Sequence, residues 1–392
     1  MKEAYIVAAT RTAGGRRGGR LAGWHPVDLA AQVLDALINE ADADPAMVED
    51  VIMGCVSQAG EQSTNVARNA VLASGLPERV PATSVDRQCG SSQQALHFAA
   101  QAVMSGSMDM VIAAGVESMS RVPMGMPHLL PLKNGLGQYV SPAIARRYPD
   151  VQFSQFSGAE RVARKYGLGK GLLDEFSLHS HLKAMEASQA GRFDAEILPV
   201  QACGADGVRL DDWHRVDEGI RFDASLEAVA QVKLLQEEGC ITAANASQIC
   251  DGASGVLVVN ERGLKALGVA PLARVHQMLV MGHDPVIMLE APIPATQAAL
   301  RKAGMRLDEI DLYEINEAFA SIPLAWLQAL EADPERLNVN GGAIALGHPL
   351  GASGTRLMTT LIHALQQRGK RYGLQSMCEG GGLANVTIIE RL

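Results

Sequence analysis

Short apolar runs at residues 5–9, 50–54 and 110–114 have the length and continuity of buried strands. Between them, residues 29–38 and the stretch after residue 89 carry apolar positions at helical spacing. In the second stretch Ala95, Phe98, Ala99, Ala102 and Val103 share a face, and Gly106 supplies a stop. Strands alternating with helices predict βαβ units, an α/β class and a mostly parallel sheet covered by helices. A second alternation closes the chain, with strands over 311–315, 372–378 and 384–389 and helices over 318–330 and 354–365. Each half has a Gly/Ser-rich turn opening a helix: Cys89-Gly90-Ser91-Ser92 in the first, Gly347-His348-Pro349-Leu350-Gly351-Ala352-Ser353-Gly354 in the second. This parallel order of elements predicts an internal duplication. Residues 119–248 break the pattern with prolines at 123, 127, 131, 142 and 149 and read as an inserted, partly helical segment. The predicted organisation is a first half over 1–118, completed by about 249–270, the insert over 119–248, and a second half over 271–392.

At 392 residues and 47% apolar content, the chain is long enough to bury a large core. Its net charge of -9 argues against a nucleic-acid partner, and no apolar run reaches the length of a membrane span. The stretch from Met1 to Thr10 reads as a first strand rather than a signal peptide, and Glu390-Arg391-Leu392 is not a peroxisomal address. Six cysteines at 55, 89, 203, 240, 250 and 378 have no metal-ligand spacing and no secretory context, which favours reduced thiols in a cytoplasm. Four arginines at 11, 16, 17 and 20, interleaved with glycines, read as a surface loop. The run Arg161, Arg164 and Lys165 reads as a solvated helix face or as a docking surface for a phosphorylated ligand.

Cys89 is the most informative residue. At or near a helix N-terminus, unpaired N–H groups and the positive end of the helix dipole favour an anion, so a thiol of ordinary pKa about 8.5 becomes a better nucleophile near neutral pH. A buried cysteine serving as a small apolar filler is the plainer reading. His348, fixed in a Gly/Pro turn before a helix, is either structural or a base for a nearby thiol. Cys378 ends an apparent strand against Gly380, Gly381 and Gly382, which form a tight turn or aim backbone N–H groups at a developing oxyanion. Asn316, at a strand-to-helix junction, reads on its own as a helix N-cap.

Taken together, these segments resemble the thiolase family. The resemblance rests on Cys-Gly-Ser at 89–91, Asn-Glu-Ala-Phe-Ala at 316–320, Gly-His-Pro at 347–349 with Gly-Ala-Ser-Gly at 351–354, and Cys-x-Gly-Gly-Gly at 378–382, in the family's order. It runs nearly end to end, taking in Arg11-Thr12, Gly115-Val116-Glu117-Ser118-Met119-Ser120, Thr242-Ala243-Ala244-Asn245-Ala246-Ser247 and Asp251-Gly252-Ala253. It implies a five-layered αβαβα duplicated core with an inserted loop domain that binds coenzyme A, assembled as a homodimer or homotetramer. Cys89 would be the acylated nucleophile, His348 its base and a donor to the thioester oxygen, and Cys378 the acid/base at the α-carbon. Asn316 would hold a water in the same oxyanion hole, while the backbone N–H groups of Cys89 and Gly380 form the second. Arg221, Ser247, Met288 and Phe319 would contact the coenzyme or substrate. The implied reaction is reversible cleavage of a 3-ketoacyl-CoA by CoA to acetyl-CoA and a shortened acyl-CoA, with no metal and no permanently bound cofactor.

Three departures bear on the substrate. Ser154-Gln155-Phe156-Ser157-Gly158 stands where short-chain members have Met-Gly, Met288-Leu289-Glu290-Ala291-Pro292 replaces a more Gly-rich run, and Cys250 replaces a common asparagine and reads as packing. With Asp86-Arg87-Gln88 and Glu379, these resemble a bacterial degradative branch handling fatty acids and steroids, with a biosynthetic acetoacetyl-CoA thiolase as the alternative. Carrier-protein-dependent condensing synthases lack the second cysteine, and a non-catalytic lipid-binding relative would have lost some of the four side chains present here.

Overall fold

The computed structural model describes residues 3–392. Its first half contributes β1 (Tyr5–Thr12), α1 (Pro26–Glu40), β2 (Asp50–Gly54), α2 (Val66–Ala73), β3 (Ala82–Val85), α3 (Ser91–Ser105) and β4 (Met110–Ser118). An insert follows, with α4 (Gln155–Lys165), α5 (Lys170–Gln189) and a hairpin of Val200–Cys203 and Arg209–His214. After it come β5 (Cys250–Val259), β6 (Ala273–Gly282), α6 (Pro292–Ala303), β7 (Leu312–Ile315), α7 (Ser321–Leu330), α8 (Ser353–Gln367), β8 (Tyr372–Glu379) and β9 (Leu383–Arg391).

The strands run β7-β8-β9-β6-β1-β5-β4-β2-β3. Helices α1 and α2 cover the outer face of the first half's strands, α3 and α8 lie back to back in the middle, and α6 covers the far side. This is the five-layered α/β arrangement. The sheet is mixed, however, rather than mostly parallel. Parallel pairing is confined to β2 with β3 and β4, to β7 with β8, and to a short contact of β1 with Ile197–Leu198. The physical reason lies in β5, which arrives after the insert and slots antiparallel between β1 and β4, in place of a βαβ crossover.

Local rules account for the elements that frame the site. Helix α3 starts after Gly90 and stops at Gly106, whose φ of +77° suits a glycine C-cap. The helix expected over 318–330 begins only at Ser321, leaving Asn316 and Glu317 in the preceding turn. Helices α3 and α8 meet nearly backbone to backbone. A Cβ on Gly354 would stand 2.0 Å from the Gln93 nitrogen; on strand β4 beside them, one on Gly115 would stand 2.2 Å from the oxygen of Gly351, in the turn before α8. Ser92 Oγ accepts from the Thr355 N–H at 3.0 Å, joining the two helix starts directly.

Arg11 corrects the surface-loop reading. Arg16 and Arg17 are exposed, but Arg11 is fully buried, with Nε 2.6 Å from Glu196 and a two-pronged contact on Asp217 at 2.8 and 3.1 Å. Burial pushes Asp217 up, yet the Arg11 charge beside it prevails and holds the carboxyl below its usual range. Glu196 also accepts from Thr360 on α8 at 2.9 Å, so one arginine fastens β1, the insert and the central layer. Asp217→Ala would leave Arg11 buried and half paired, and a loss of about 3–5 kcal/mol is expected, measured as a lower urea midpoint.

Candidate active site

Cys89 stands just before Gly90, the N-cap of α3, in a turn held open by an unusual backbone. Gln88 has φ +48°, a left-handed conformation costly for a non-glycine residue. Ser91 pins this turn, its Oγ accepting from the Arg87 N–H at 2.9 Å and donating to the Gln88 carbonyl at 2.6 Å. The sulfur is held there, facing the backbone N–H groups of Cys89 and Gly380. Contrary to the expectation from helix placement, the thiol is not acidic. Burial and then the neighbouring Glu379 push it up to about 12, outweighing both N–H groups. A resting thiol of this kind needs a base.

His348 has the properties of one. Burial, assisted by the Arg356 charge, lowers its pKa to about 3, so the imidazole is neutral. Its tautomer follows from its partners. Ser353 Oγ donates to the Pro349 carbonyl at 2.9 Å and therefore accepts from Nδ1–H at 2.5 Å, leaving Nε2 bare. The Asn316 side-chain nitrogen lies 3.3 Å from that Nε2 as a donor. Asn316 is thus no helix cap, and its Oδ1 is buried without a partner.

Cys378 is fully buried on β8, opposite Ala384 of β9. Burial, with the nearby Cys89 and Glu379, pushes its thiol well above the usual range. The four chemistry-bearing segments therefore converge from both halves: the Cys89 turn, the Gly347–Pro349 turn, Asn316 after β7, and the Cys378–Gly380 end of β8. Cys250 is buried against the backbone of Gly14 and of Gly347, the residue before His348, so it packs beneath the His348 turn.

Sequence reasoning did not assign Glu117 a role. Its buried carboxylate accepts from the N–H groups of Val56, Ser57 and Gly351 at 2.9, 3.0 and 2.9 Å and from Gln62 at 2.8 Å. It locks the turn after β2 to the one before α8. Its place inside the Gly115–Ser120 motif was the available signal. Ser353 was likewise visible as part of Gly-Ala-Ser-Gly but without a role.

The comparisons with known proteins come to the same place. The thiolase N-terminal domain matches residues 4–262 and the thiolase C-terminal domain residues 269–391. This chain belongs to the thiolase family. The thiolase is 50% identical to the steroid 3-ketoacyl-CoA thiolase FadA6 of Mycobacterium tuberculosis, over 100% of this chain and 95% of that one. It is 42% identical to an acetyl-CoA acetyltransferase of Chromobacterium violaceum, over 99% of this chain and 100% of the relative. It superimposes on human mitochondrial 3-ketoacyl-CoA thiolase in complex with CoA with TM-score 0.88 at 34% identity, covering 100% and 98% of the two chains.

In this thiolase Met288, Phe319 and Cys378 share one apolar cluster, with Phe156 packed against it. Phe319 is buried, its ring meeting Phe156 edge-on at 5.5 Å. Ser247 is half-buried and donates its N–H to Ala318 at 2.9 Å, which sets it beside the same cluster. Arg221 is exposed, its N–H on His181 Nδ1 at 3.3 Å. On α4, Arg161 and Arg164 are exposed, while Lys165 pairs with Glu290 at 2.5 Å.

Because burial holds the His348 pKa near 3, its ring is expected to remain neutral at about pH 5, where an ordinary histidine is charged. The check is nitrogen NMR of histidine-labelled protein: the proton should sit on Nδ1, and Ser353→Ala should lose that preference. An imidazolium signal from His348 at that pH would refute this account.

Proposed function

We propose that this thiolase cleaves 3-ketoacyl-CoA esters in degradation through an acyl-Cys89 intermediate. The observation that carries the reading is a buried Cys89 thiol facing the N–H groups of Cys89 and Gly380 with a second buried thiol, Cys378, beside it; the neutral His348, its Nε2 unprotonated and held at Asn316, supplies the base. Cys89 passes its proton to His348 Nε2 and attacks the 3-keto carbon. The oxyanion that forms lies within reach of the Cys89 and Gly380 N–H groups. As the bond between C2 and C3 breaks, its electron pair enters the thioester as an enolate. His348, now protonated, and a water on Asn316 share that oxygen's charge, and Cys378 delivers a proton to C2, releasing acetyl-CoA. A second CoA thiol then attacks acyl-Cys89, its proton going to the base left behind, and a shortened acyl-CoA departs.

CoA is substrate in this scheme, with Ser247 and Arg221 as contacts to the coenzyme and Met288 and Phe319 lining the path of the pantetheine and acyl chain. The insert over 119–248 is the coenzyme-binding unit in this reading. A bulky, steroid-related or fatty acyl group fits best, since the steroid thiolase relative shares half of its residues with this chain. The acetyltransferase relative supports acetoacetyl-CoA chemistry as the second reading. We place the enzyme in the cytoplasm as a homodimer or homotetramer. Exposed Leu129, Leu130, Leu132 and Leu136 in the insert support assembly, and among the described residues no helix is long and apolar enough to cross a membrane.

Cys89→Ala should reduce cleavage of a 3-ketoacyl-CoA by CoA at least about 10³-fold without lowering the unfolding midpoint; unchanged turnover would sink the assignment. For Cys378→Ala, acylation of Cys89 should persist, seen by mass spectrometry, while deuterium exchange at the acetyl-CoA methyl stops. Continued exchange would remove Cys378 from its role. Ranking kcat/KM across acetoacetyl, long-chain and ring-bearing esters separates the two substrate readings.

A further inference from the structure

Glu379 lies between Cys378 and Gly380, and the mechanism above does not use it. Its side chain is completely buried, and neither carboxyl oxygen has a hydrogen-bond partner. Gly90 makes room for it: a Cβ there would stand 1.9 Å from Glu379 Oε1 and 2.6 Å from Cδ. The carboxyl therefore rests on the residue that follows the nucleophile, at the mouth of α3. A buried carboxylate without donors is expensive to ionise, so this position selects the neutral acid.

We propose that Glu379 is a positioning residue for Cys89, an electrostatic gate packed on Gly90 whose neutral form admits a thiolate at Cys89 and whose ionised form opposes it. The inference rests on the acyl-cysteine reading above. Cys89 must become a thiolate twice in each turnover, once to attack and once as the leaving group when CoA collects the acyl chain. Both moments suffer if a second negative charge stands beside the sulfur. The enolate formed next to Cys378 suffers in the same way.

The surroundings leave Glu379 free to behave so. From the turn before α3, Arg87 favours its ionisation and Asp86 lies near Cys89. From α3 itself comes His97, which burial keeps neutral and which contacts Thr387 and Asn385 of β9. From β9 the facing residue is the uncharged Asn385, whose backbone N–H favours the anion from outside hydrogen-bond geometry, and from its own strand comes Cys378. Burial outweighs these and pushes the Glu379 carboxyl up to about 8. Below that pH the gate is neutral and above it charged.

The test is the pH dependence of iodoacetamide labelling at Cys89, read by mass spectrometry of the Cys89 peptide, in the wild-type chain and in Glu379→Gln. The amide keeps the shape and cannot ionise. Wild-type labelling should rise with pH, flatten near pH 8 as the gate charges, and rise again; the variant should rise without the inflection and label roughly tenfold faster at about pH 9. In turnover, kcat/KM of the wild type should fall above pH 8 and that of the variant should not. Superimposable labelling profiles overturn the proposal, and so does a wild-type profile with no inflection, which decides the matter even if the variant does not fold. Labelling requires no thiolase turnover, so a failure of the gate and a failure of the proposed reaction give different results.

Discussion

Everything at this site depends on two helix starts that meet almost backbone to backbone. Helices α3 and α8 come from opposite halves of the chain, and each is preceded by a candidate site residue, Cys89 before the one and His348 before the other. Gly354 against Gln93 lets the two helix starts approach to backbone contact, and Gly115 of β4 makes room for Gly351 in the turn before α8. A methyl group at Gly354 would stand 2.0 Å from the Gln93 nitrogen, so the helix starts would have to separate to hold it. Glu117 secures the same junction by gathering N–H groups from the turn after β2 and the turn before α8. The duplicated architecture thus places two N-termini at one point, and the glycines make that point narrow enough for chemistry.

At that point burial, rather than the helix dipole, sets the protonation states. A dipole contributes at most a few kcal/mol at a favourable terminus, and here the loss of water around Cys89 and the nearness of Glu379 outweigh it. The same desolvation acts in the opposite sense on His348, keeping it neutral. Thiol and imidazole are therefore both uncharged at rest. In the proposed reaction charge appears only when a proton moves between them, and the Cys89 and Gly380 N–H groups are already in place for the oxyanion that would follow.

The parts of this structure that rest on local rules were legible in the sequence. The start of α3 at a Gly/Ser turn and its stop at Gly106 follow from capping preferences, and the strands of both halves follow from apolar runs. Cys89, His348, Cys378 and Asn316 were visible as residue types in unusual settings, and their motif order pointed to one family. What composition and spacing did not disclose is whatever depends on distant partners. Arg11 looked like a surface residue because Glu196 and Asp217 lie 185 and 206 residues away. The direction of β5 was hidden by the insert, and the orientation of His348 by Ser353 depends on a hydroxyl whose partners only the folded turn defines.

The position of β5 also constrains the order in which this protein can be made. The strand lies between β1 and β4, yet residues 250–259 are synthesised after the whole insert. Until they leave the ribosome, the first half has a gap in the middle of its sheet, with backbone groups of two strands unpaired. Arg11 waits almost as long, since its second acid is residue 217. A nascent chain of 118 residues holds every strand of the first half except the one that joins them, so vectorial synthesis cannot deliver a finished half-molecule. The smallest piece able to close its own sheet is about two thirds of the protein, which makes the insert an obligatory passenger in folding before it is anything else.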